Sequence, residues 1–235
     1  MLKKLIKFHF NYIFNKISLS LFLLLSIFIF LSNIFVIIGI DKKAELNDAY
    51  LYYLDSSFSI VSFVGVLFSI IIFSFPFLQK QDQYIYLVLS DKITRKSYFL
   101  SKYFTIALLL LIFVVLMVFS FYLPTIFFNK IKYIDIIVLK SFFDLYLMIL
   151  FYGSISLLLT IVFDSIYIML IPFTIFLIIS NFNQSTSSFL NNLINNVTIN
   201  IEPGKWILEQ GKGKTFIIIL VIFSINCLIY QKKDF

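Results

Sequence analysis

Side chains that could do catalytic or metal chemistry are few in this chain. It has one histidine (His9), one cysteine (Cys227) and only three glutamates. A protein zinc site uses three or four His, Cys or carboxylate ligands, and covalent catalysis pairs a nucleophile with a base. The sequence therefore predicts no enzyme active site, no metal site and no cofactor held by this chain.

The string GKGKT at residues 211–215 is similar to the end of a phosphate-binding loop. That loop needs a glycine five residues before its Gly-Lys-Thr, and Leu208 stands at that position. No strand-like segment precedes it. Nucleotide binding by this chain is therefore not expected.

Arg95 is the only arginine among the 19 Lys+Arg of the chain. It lies in a polar, basic segment, residues 79–102, between two long hydrophobic runs. A guanidinium can hold a partner carboxylate through two parallel hydrogen bonds, which a lysine cannot do. The sequence therefore predicts a partner contact at Arg95, with anchoring to a lipid phosphate as the alternative.

Helical spacing inside residues 79–102 predicts an amphipathic helix. Its apolar stripe consists of Ile85, Leu89 and Ile93. The charged residues Asp82, Asp91 and Arg95 lie off that stripe. After a break around residues 90–92, Thr94 is the expected N-cap of the next helix. Long structured loops are usually functional or pack on themselves. The segment is therefore expected to be either a functional loop or a connector that packs on itself.

One pair of ionisable residues falls inside a hydrophobic run. Lys140 and Asp144 are four residues apart, and Asp144 lies about 12 Å along a helix from Ile136 at a rise of 1.5 Å per residue. Ionisable residues within a membrane helix indicate function by default. The pair is expected near a permeation path or subunit interface, or else as a self-neutralising structural pair.

Composition predicts the elements that hold these residues. The chain is 61% hydrophobic and only 13% charged, whereas soluble chains carry roughly 25% charged residues. Hydrophobic runs of about 20 residues can cross a bilayer as helices. The runs are residues 17–40, 58–78, 103–128, 136–163, 166–180 and 216–230. We therefore predict an all-α integral membrane protein with six transmembrane helices in a single domain, residues 1–235.

Lysines at the start of the chain bear on orientation. With the N-terminus inside, more Lys+Arg residues face the cytoplasm than the outside, which predicts an N-in, C-in protein. Residues 1–16 alternate apolar residues with lysines and suit a helix lying at the membrane interface, with a loosely ordered basic leader as the alternative. The first run is too long for a secretory signal core, so it should remain as an anchor.

Residues 81–102 resemble the segment between spans two and three of many permease subunits of ATP-binding cassette exporters of the "ABC-two" class. Gln81 and Asp82 match its polar start, residues 90–95 (SDKITR) its turn, and residues 98–102 (YFLSK) the beginning of span three. Lys92 stands where that turn often has proline. The C-terminal YQKKDF is similar to the family's basic tail, and the six-span, N-in layout matches along the chain.

The resemblance implies a type V exporter fold in which residues 79–102 form a coupling helix that docks into a cassette ATPase. The implied coupling residues are Asp82, Ile85, Leu89, Asp91, Ile93, Thr94, Arg95 and Lys96. ATP and Mg would then be bound by two copies of the partner ATPase. A second permease half, identical or related, would complete the pathway, and residues 181–214 would form an outer re-entrant segment.

Small permeases of this type, in Phe-rich bacterial chains of about this length, resemble the exporters of amphipathic toxin peptides and bacteriocins, including phenol-soluble modulin exporters. The resemblance therefore implies the membrane subunit of an ATP-driven exporter of such a peptide in a bacterial cytoplasmic membrane. Export of a lipid-like substrate, a cell-wall precursor or a small drug is the alternative. A second hypothesis is a non-transporting immunity or sensor protein that binds a toxic peptide. An intramembrane enzyme is the least supported, and nucleic acid is not an expected partner.

Overall fold

The computed structural model describes residues 2–13, 16–40, 46–78, 93–128, 136–182 and 213–232. These residues are almost entirely helical and include no strand, which confirms the all-α prediction for them. The α-helices are α1 (Leu2–Ile13), α2 (Lys16–Gly39), α3 (Leu46–Ser74), α4 (Arg95–Phe128), α5 (Ile136–Phe163), α6 (Ile171–Phe182) and α7 (Gly213–Lys232). Short 3-10 turns at Phe75–Phe77 and Ile168–Leu170 follow α3 and precede α6.

Four of these helices contain a stretch long and apolar enough to cross a bilayer. The stretches are Ser20–Gly39, Tyr52–Phe77, Arg95–Phe128 and Ser141–Phe163. Two shorter apolar helices, Ile168–Ile178 and Phe216–Lys232, fall where the last two runs are predicted. This set of helices is compatible with a multi-pass membrane protein. The number of crossings and their orientation stay predictions.

Two helices are longer than the hydrophobic runs predict. Helix α3 begins at Leu46 rather than at residue 58, and α4 begins at Arg95 rather than at residue 103. Polar residues beside an apolar run can continue the same helix, because backbone hydrogen bonds and not hydrophobicity define the element. Residues 95–102 lie before the hydrophobic run and are the opening turns of α4, directly after Thr94, the predicted N-cap.

Close packing of α3 against α5 organises the bundle. Helix α5 also contacts α4, α6 and α7, while α2 packs on α4. A Cβ built on Gly153 of α5 would overlap the Phe73 ring of α3, and one on Gly65 of α3 would lie 3.1 Å from Ile149. In lipid the hydrophobic effect does not drive helices together, so such van der Waals contact between small and large residues stabilises the pair.

Pro124 lies inside α4 and leaves the Ser120 carbonyl, four residues earlier, without its helical donor. That carbonyl accepts a 3.0 Å hydrogen bond from Nδ2 of Asn33 in α2. The neighbouring Phe121 carbonyl accepts a 2.6 Å bond from the Tyr53 hydroxyl of α3. Both donors are buried. Asn33 of α2 therefore replaces the hydrogen bond that the proline removes from α4, and Tyr53 of α3 adds another beside it.

The turn between α5 and α6 lies at the same end of the bundle as the end of α3. Asp164 closes α5 with a φ of 48°, a left-handed conformation that Asp tolerates better than most residues. The Ser156 hydroxyl donates to the Met169 carbonyl at 2.7 Å and lies 2.6 Å from the Ser74 hydroxyl. Two short polar contacts thus join α3, α5 and the turn.

Candidate functional site

The predicted coupling residues that the structure describes lie at one end of the bundle, here called the basic end. It consists of α1, the Phe75–Phe77 turn, residues 93–102 and the last turn of α7. Its exposed lysines are Lys4, Lys7, Lys96 and Lys232. By the positive-inside rule, this end is predicted to face the cytoplasm.

Aromatic rings join the pieces of the basic end. The Phe77 ring centroid lies 5.6 Å from that of Phe99 and 5.6 Å from that of Tyr230, and the latter two are 5.3 Å apart. The His9 ring of α1 packs edge-on against Tyr98 of α4 at 4.7 Å. All five residues are buried. Helix α1 and the ends of α3, α4 and α7 therefore form one packed unit.

Thr94 caps the start of α4, as the sequence predicts. Its Oγ1 accepts a 3.2 Å hydrogen bond from the Ser97 N–H and lies 2.9 Å from the Ser97 hydroxyl. Its carbonyl accepts the first helical bond, from the Tyr98 N–H, at 3.0 Å. The cap satisfies one of the N–H groups that a helix start leaves open. The proposed contact of Thr94 with an ATPase stays a prediction.

Arg95, the first residue of α4, is half-buried and not purely solvent-facing. Its Nη1 donates to the backbone carbonyl of Gln231, 3.3 Å away, near the end of α7. A cation is favourable there because the last carbonyls of a helix carry partial negative charge. Arg95 thus connects α4 to α7 at the point where the sequence predicts docking.

The other predicted coupling residues divide into two groups. Ile93 is half-buried against the core, and Lys96 is exposed. The residues outside the described part of the chain are Asp82, Ile85, Leu89 and Asp91. The structure therefore places four of the predicted coupling residues at the start of α4, namely Ile93, Thr94, Arg95 and Lys96.

Asp144 is buried in the interior of the bundle, with 2% of its surface exposed. Its neighbour Phe142 packs against Phe58 of α3 and Phe121 of α4, with ring centroids 4.9 and 5.7 Å apart. Lys140 lies one turn earlier in α5, and its side chain is outside the described part of the structure. Burial places the Asp144 carboxyl away from lipid, and its pairing with Lys140 stays a prediction.

Lys102 is a buried residue that the sequence places among the cytoplasmic charges. Only 1% of it is exposed, and its Nζ donates to the Pro76 carbonyl at 2.6 Å. The same nitrogen lies 4.5 Å from the Phe77 ring centroid and 5.2 Å from that of Tyr98. One feature of the sequence could have indicated this role for Lys102. It lies seven residues after Arg95, which places both residues on one side of α4.

Polar side chains also join α4, α5 and α7 in the middle of the bundle. The Tyr103 and Ser154 hydroxyls lie 2.9 Å apart, and Nδ2 of Asn226 donates to the Ser154 carbonyl at 3.0 Å. The Tyr146 hydroxyl of α5 donates to the Ala107 carbonyl of α4 at 3.1 Å. Such bonds within a bilayer average only about 0.6 kcal/mol, so they define which helices pair more than they add stability.

Among the residues that the structure describes, no group of three or more His, Cys, Asp or Glu could hold a metal ion. No protein-family model and no curated protein matches the chain. Function is therefore inferred from the residues and their contacts.

Proposed function

We propose that the chain is the membrane-spanning subunit of an ATP-driven exporter and that its basic end receives the motion of a separate cassette ATPase. One observation supports this most: the residues that resemble the exporter motif begin a helix that is bonded to two others. Lys102 links α4 to the end of α3, and Arg95 links α4 to the end of α7. A force applied to the start of α4 would therefore reach three helices at once.

The proposed coupling is mechanical. Within the predicted coupling loop, residues 79–102, the part from residue 79 to Lys96 contains all the predicted coupling residues and would dock into the ATPase. Its movement during the ATP cycle would tilt α4 together with the attached ends of α3 and α7. Packed interiors transmit a displacement with little compression, and the rings of Phe77, Phe99 and Tyr230 are packed in this way. The contact between Tyr103 and Ser154 would carry the displacement on to α5. The partner ATPase would bind the nucleotide and Mg.

The proposed cargo is an amphipathic or antimicrobial peptide, or another lipid-like molecule. The outer surface of the bundle exposes many phenylalanines, among them Phe35, Phe119 and Phe127. Aromatic rings offer large apolar contact areas. A peptide already embedded in the membrane would meet this surface directly from the lipid, which favours such a cargo over a hydrophilic one.

Co-purification with an ATPase tests the proposal. The tagged chain is expressed with untagged cassette ATPases of the same organism, taking first any that a neighbouring gene encodes, and the solubilised complex is purified and reconstituted into vesicles. We expect the ATPase to co-elute, and ATP hydrolysis to rise when an amphipathic toxin peptide is added. Arg95→Glu should abolish co-elution. Lys7→Glu, which reverses an exposed charge on α1 at the same end, should not.

The immunity or sensor hypothesis makes the opposite prediction for cells. A protein that only sequesters a toxic peptide would protect cells that lack the cassette ATPase. An exporter would lose protection when the lysine of the ATPase phosphate-binding loop is replaced. Protection that persists without any functional ATPase would show that the exporter proposal is wrong.

A further inference from the structure

Lys102 is buried where a lysine would normally extend to the interface. Lysines near the ends of membrane helices usually keep their charge in the headgroup region. Here the side chain is 1% exposed and turned toward α3. A leucine or methionine would fill a similar volume without the cost of burying a charge. Packing alone therefore does not account for a lysine at this position.

The Lys102 nitrogen bridges two elements that are separated in sequence by the polar segment. It donates to the carbonyl of Pro76 at 2.6 Å, within the 3-10 turn that follows α3. The carbonyls at a helix end lack helical donors, so the ammonium supplies one. The rings of Phe77 and Tyr98, one on each side of the segment, present their electron-rich faces to the same nitrogen.

We infer that Lys102 is a positioning residue, which fixes the end of α3 against the start of α4 and so sets where the proposed ATPase-docking segment begins and ends. The inference rests on the proposed function. Pro76 and Phe77 lie just before residue 79, and Tyr98 lies just after Lys96. Because Lys102 contacts all three, a single side chain holds both flanks of the segment.

The contact made by Arg95 complements that of Lys102. Arg95 bonds the first turn of α4 to the end of α7, while Lys102 bonds the second turn of the same helix to the end of α3. The start of α4 is therefore held from two sides. Removing the Lys102 contact should leave the start of α4 attached to α7 and held to the end of α3 only by ring contacts such as Phe77 with Phe99, so that it shifts more easily relative to α3.

The geometric part of the inference is tested on the chain without any partner. Cys227, the single cysteine, is replaced by serine, and spin labels are attached at Phe75→Cys and Lys96→Cys, exposed positions just before the segment and at its last residue. Dipolar electron paramagnetic resonance in lipid nanodiscs then measures their separation. We expect a narrow distance distribution in the parent, a broader one in Lys102→Met, and a return toward the narrow one in Lys102→Arg.

An unchanged distribution in Lys102→Met would overturn the inference. Should that variant fail to insert, Phe77→Leu takes its place, since it keeps apolar volume but removes the ring beside the ammonium. Phe77→Leu is expected to broaden the same distribution, and an unchanged distribution there would overturn the inference equally.

The functional part is measured in the reconstituted complex as cargo transported per ATP hydrolysed. Loss of folded protein lowers transport and hydrolysis together and leaves this ratio unchanged, whereas loss of positioning lowers the ratio. We expect Lys102→Met to lower it about fivefold or more, the lower range of typical coupling between sites, with recovery in Lys102→Arg. An unchanged ratio in Lys102→Met refutes the inference while the exporter function stands. A wild-type complex that retains no ATPase refutes the exporter function instead, and the distance measurement still decides the positioning role.

Discussion

Arg95 combines an internal contact with the docking role proposed for its charge. The bond from Nη1 to the Gln231 carbonyl is 3.3 Å long, slightly longer than the usual N–H···O hydrogen bond of about 2.7–3.2 Å, and is therefore weak. A cation at a helix C-terminus contributes about 0.3–1 kcal/mol when exposed and up to about 2 kcal/mol in favourable partly buried geometry, and the long bond places half-buried Arg95 in the lower part of this span. Losing a buried charged contact at a protein interface costs more binding free energy than that. The residue should therefore matter more for docking than for folding.

Arg95→Ala is predicted to lower the free energy of unfolding by less than about 1 kcal/mol and to leave membrane insertion intact. It should weaken ATPase retention much more, because truncating one partner of a buried charge pair at an interface costs about 2 kcal/mol or more. Arg95→Lys should recover part of the loss, since charge returns without the planar fork. The measurements are thermal unfolding and the ATPase-to-chain ratio after purification.

The matched control for Arg95→Ala is Lys7→Ala, which removes an exposed positive charge from α1 at the same end. It should behave like wild type in both measurements. ATPase retention that is the same in Arg95→Ala and wild type would reduce Arg95 to a contact between α4 and α7.

At the scale of helices, the contact between α3 and α5 depends on Gly153. A side chain there meets the Phe73 ring, which is itself fully buried and lies 5.1 Å from the Tyr103 ring. Gly153→Ala should therefore destabilise the bundle by about 1–3 kcal/mol through overpacking. Gly39→Ala is the control, because a Cβ at Gly39 has no atom within 4 Å. Equal thermal stability of the two variants would contradict this account of the α3–α5 contact.

The proline in α4 allows a sharper test of helix-to-helix bonding. Asn33→Leu leaves the Ser120 carbonyl without the donor that replaces the missing N–H of Pro124. Its cost should be about 0.6–1.7 kcal/mol, the range for such bonds in a bilayer. In a Pro124→Ala background, residue 124 regains an N–H that can bond to Ser120, so Asn33→Leu should cost less. A double-mutant cycle on unfolding free energies measures this difference.

Additive effects of Asn33→Leu and Pro124→Ala would show that Asn33 does not act through the carbonyl that the proline frees. Ser32→Ala is the control variant. The Ser32 hydroxyl is exposed and bonds only one turn back in its own helix, to the Phe28 carbonyl at 2.8 Å, among the contacts described. Its removal should change the unfolding free energy little in either background.

Helices were predictable from this sequence, while the contacts between them were not. Hydrophobic runs fix where the apolar helices lie, and the preference of Thr for N-caps located the start of α4 at Thr94. The bond from Lys102 to Pro76 joins residues of different helices, and no periodicity within one helix encodes such a pairing. The same holds for Asn33 and the Ser120 carbonyl. Hydrophobicity also missed the polar first turns of α3 and α4, because a helix can continue beyond its apolar part.

In the whole molecule, the two ends of the bundle are held by different kinds of contact. At the basic end, cationic side chains bond to carbonyls at the ends of α3 and α7, with aromatic rings packed around them. Toward the other end, Asn33 and Tyr53 bond to carbonyls beside the proline of α4. Helix α4 takes part in each of these hydrogen bonds. A tilt imposed at the start of α4 would therefore displace the helices bonded to α4 at both ends of the bundle.

The last prediction is that one copy of the chain does not form the working unit. Within an apolar run of 18 residues in each helix, only 22% of the residues are buried in Ser20–Gly39 of α2 and 44% in Arg95–Phe128 of α4, so large apolar faces point outward. If the exporter resemblance holds, a second permease half faces this one across the pathway. Native mass spectrometry of the purified complex should then show two permease chains, identical or related, with two ATPases. Cross-linking in membranes should trap the same permease pair. A particle with one copy of this chain and no related permease would contradict both the pairing and the pathway between two halves.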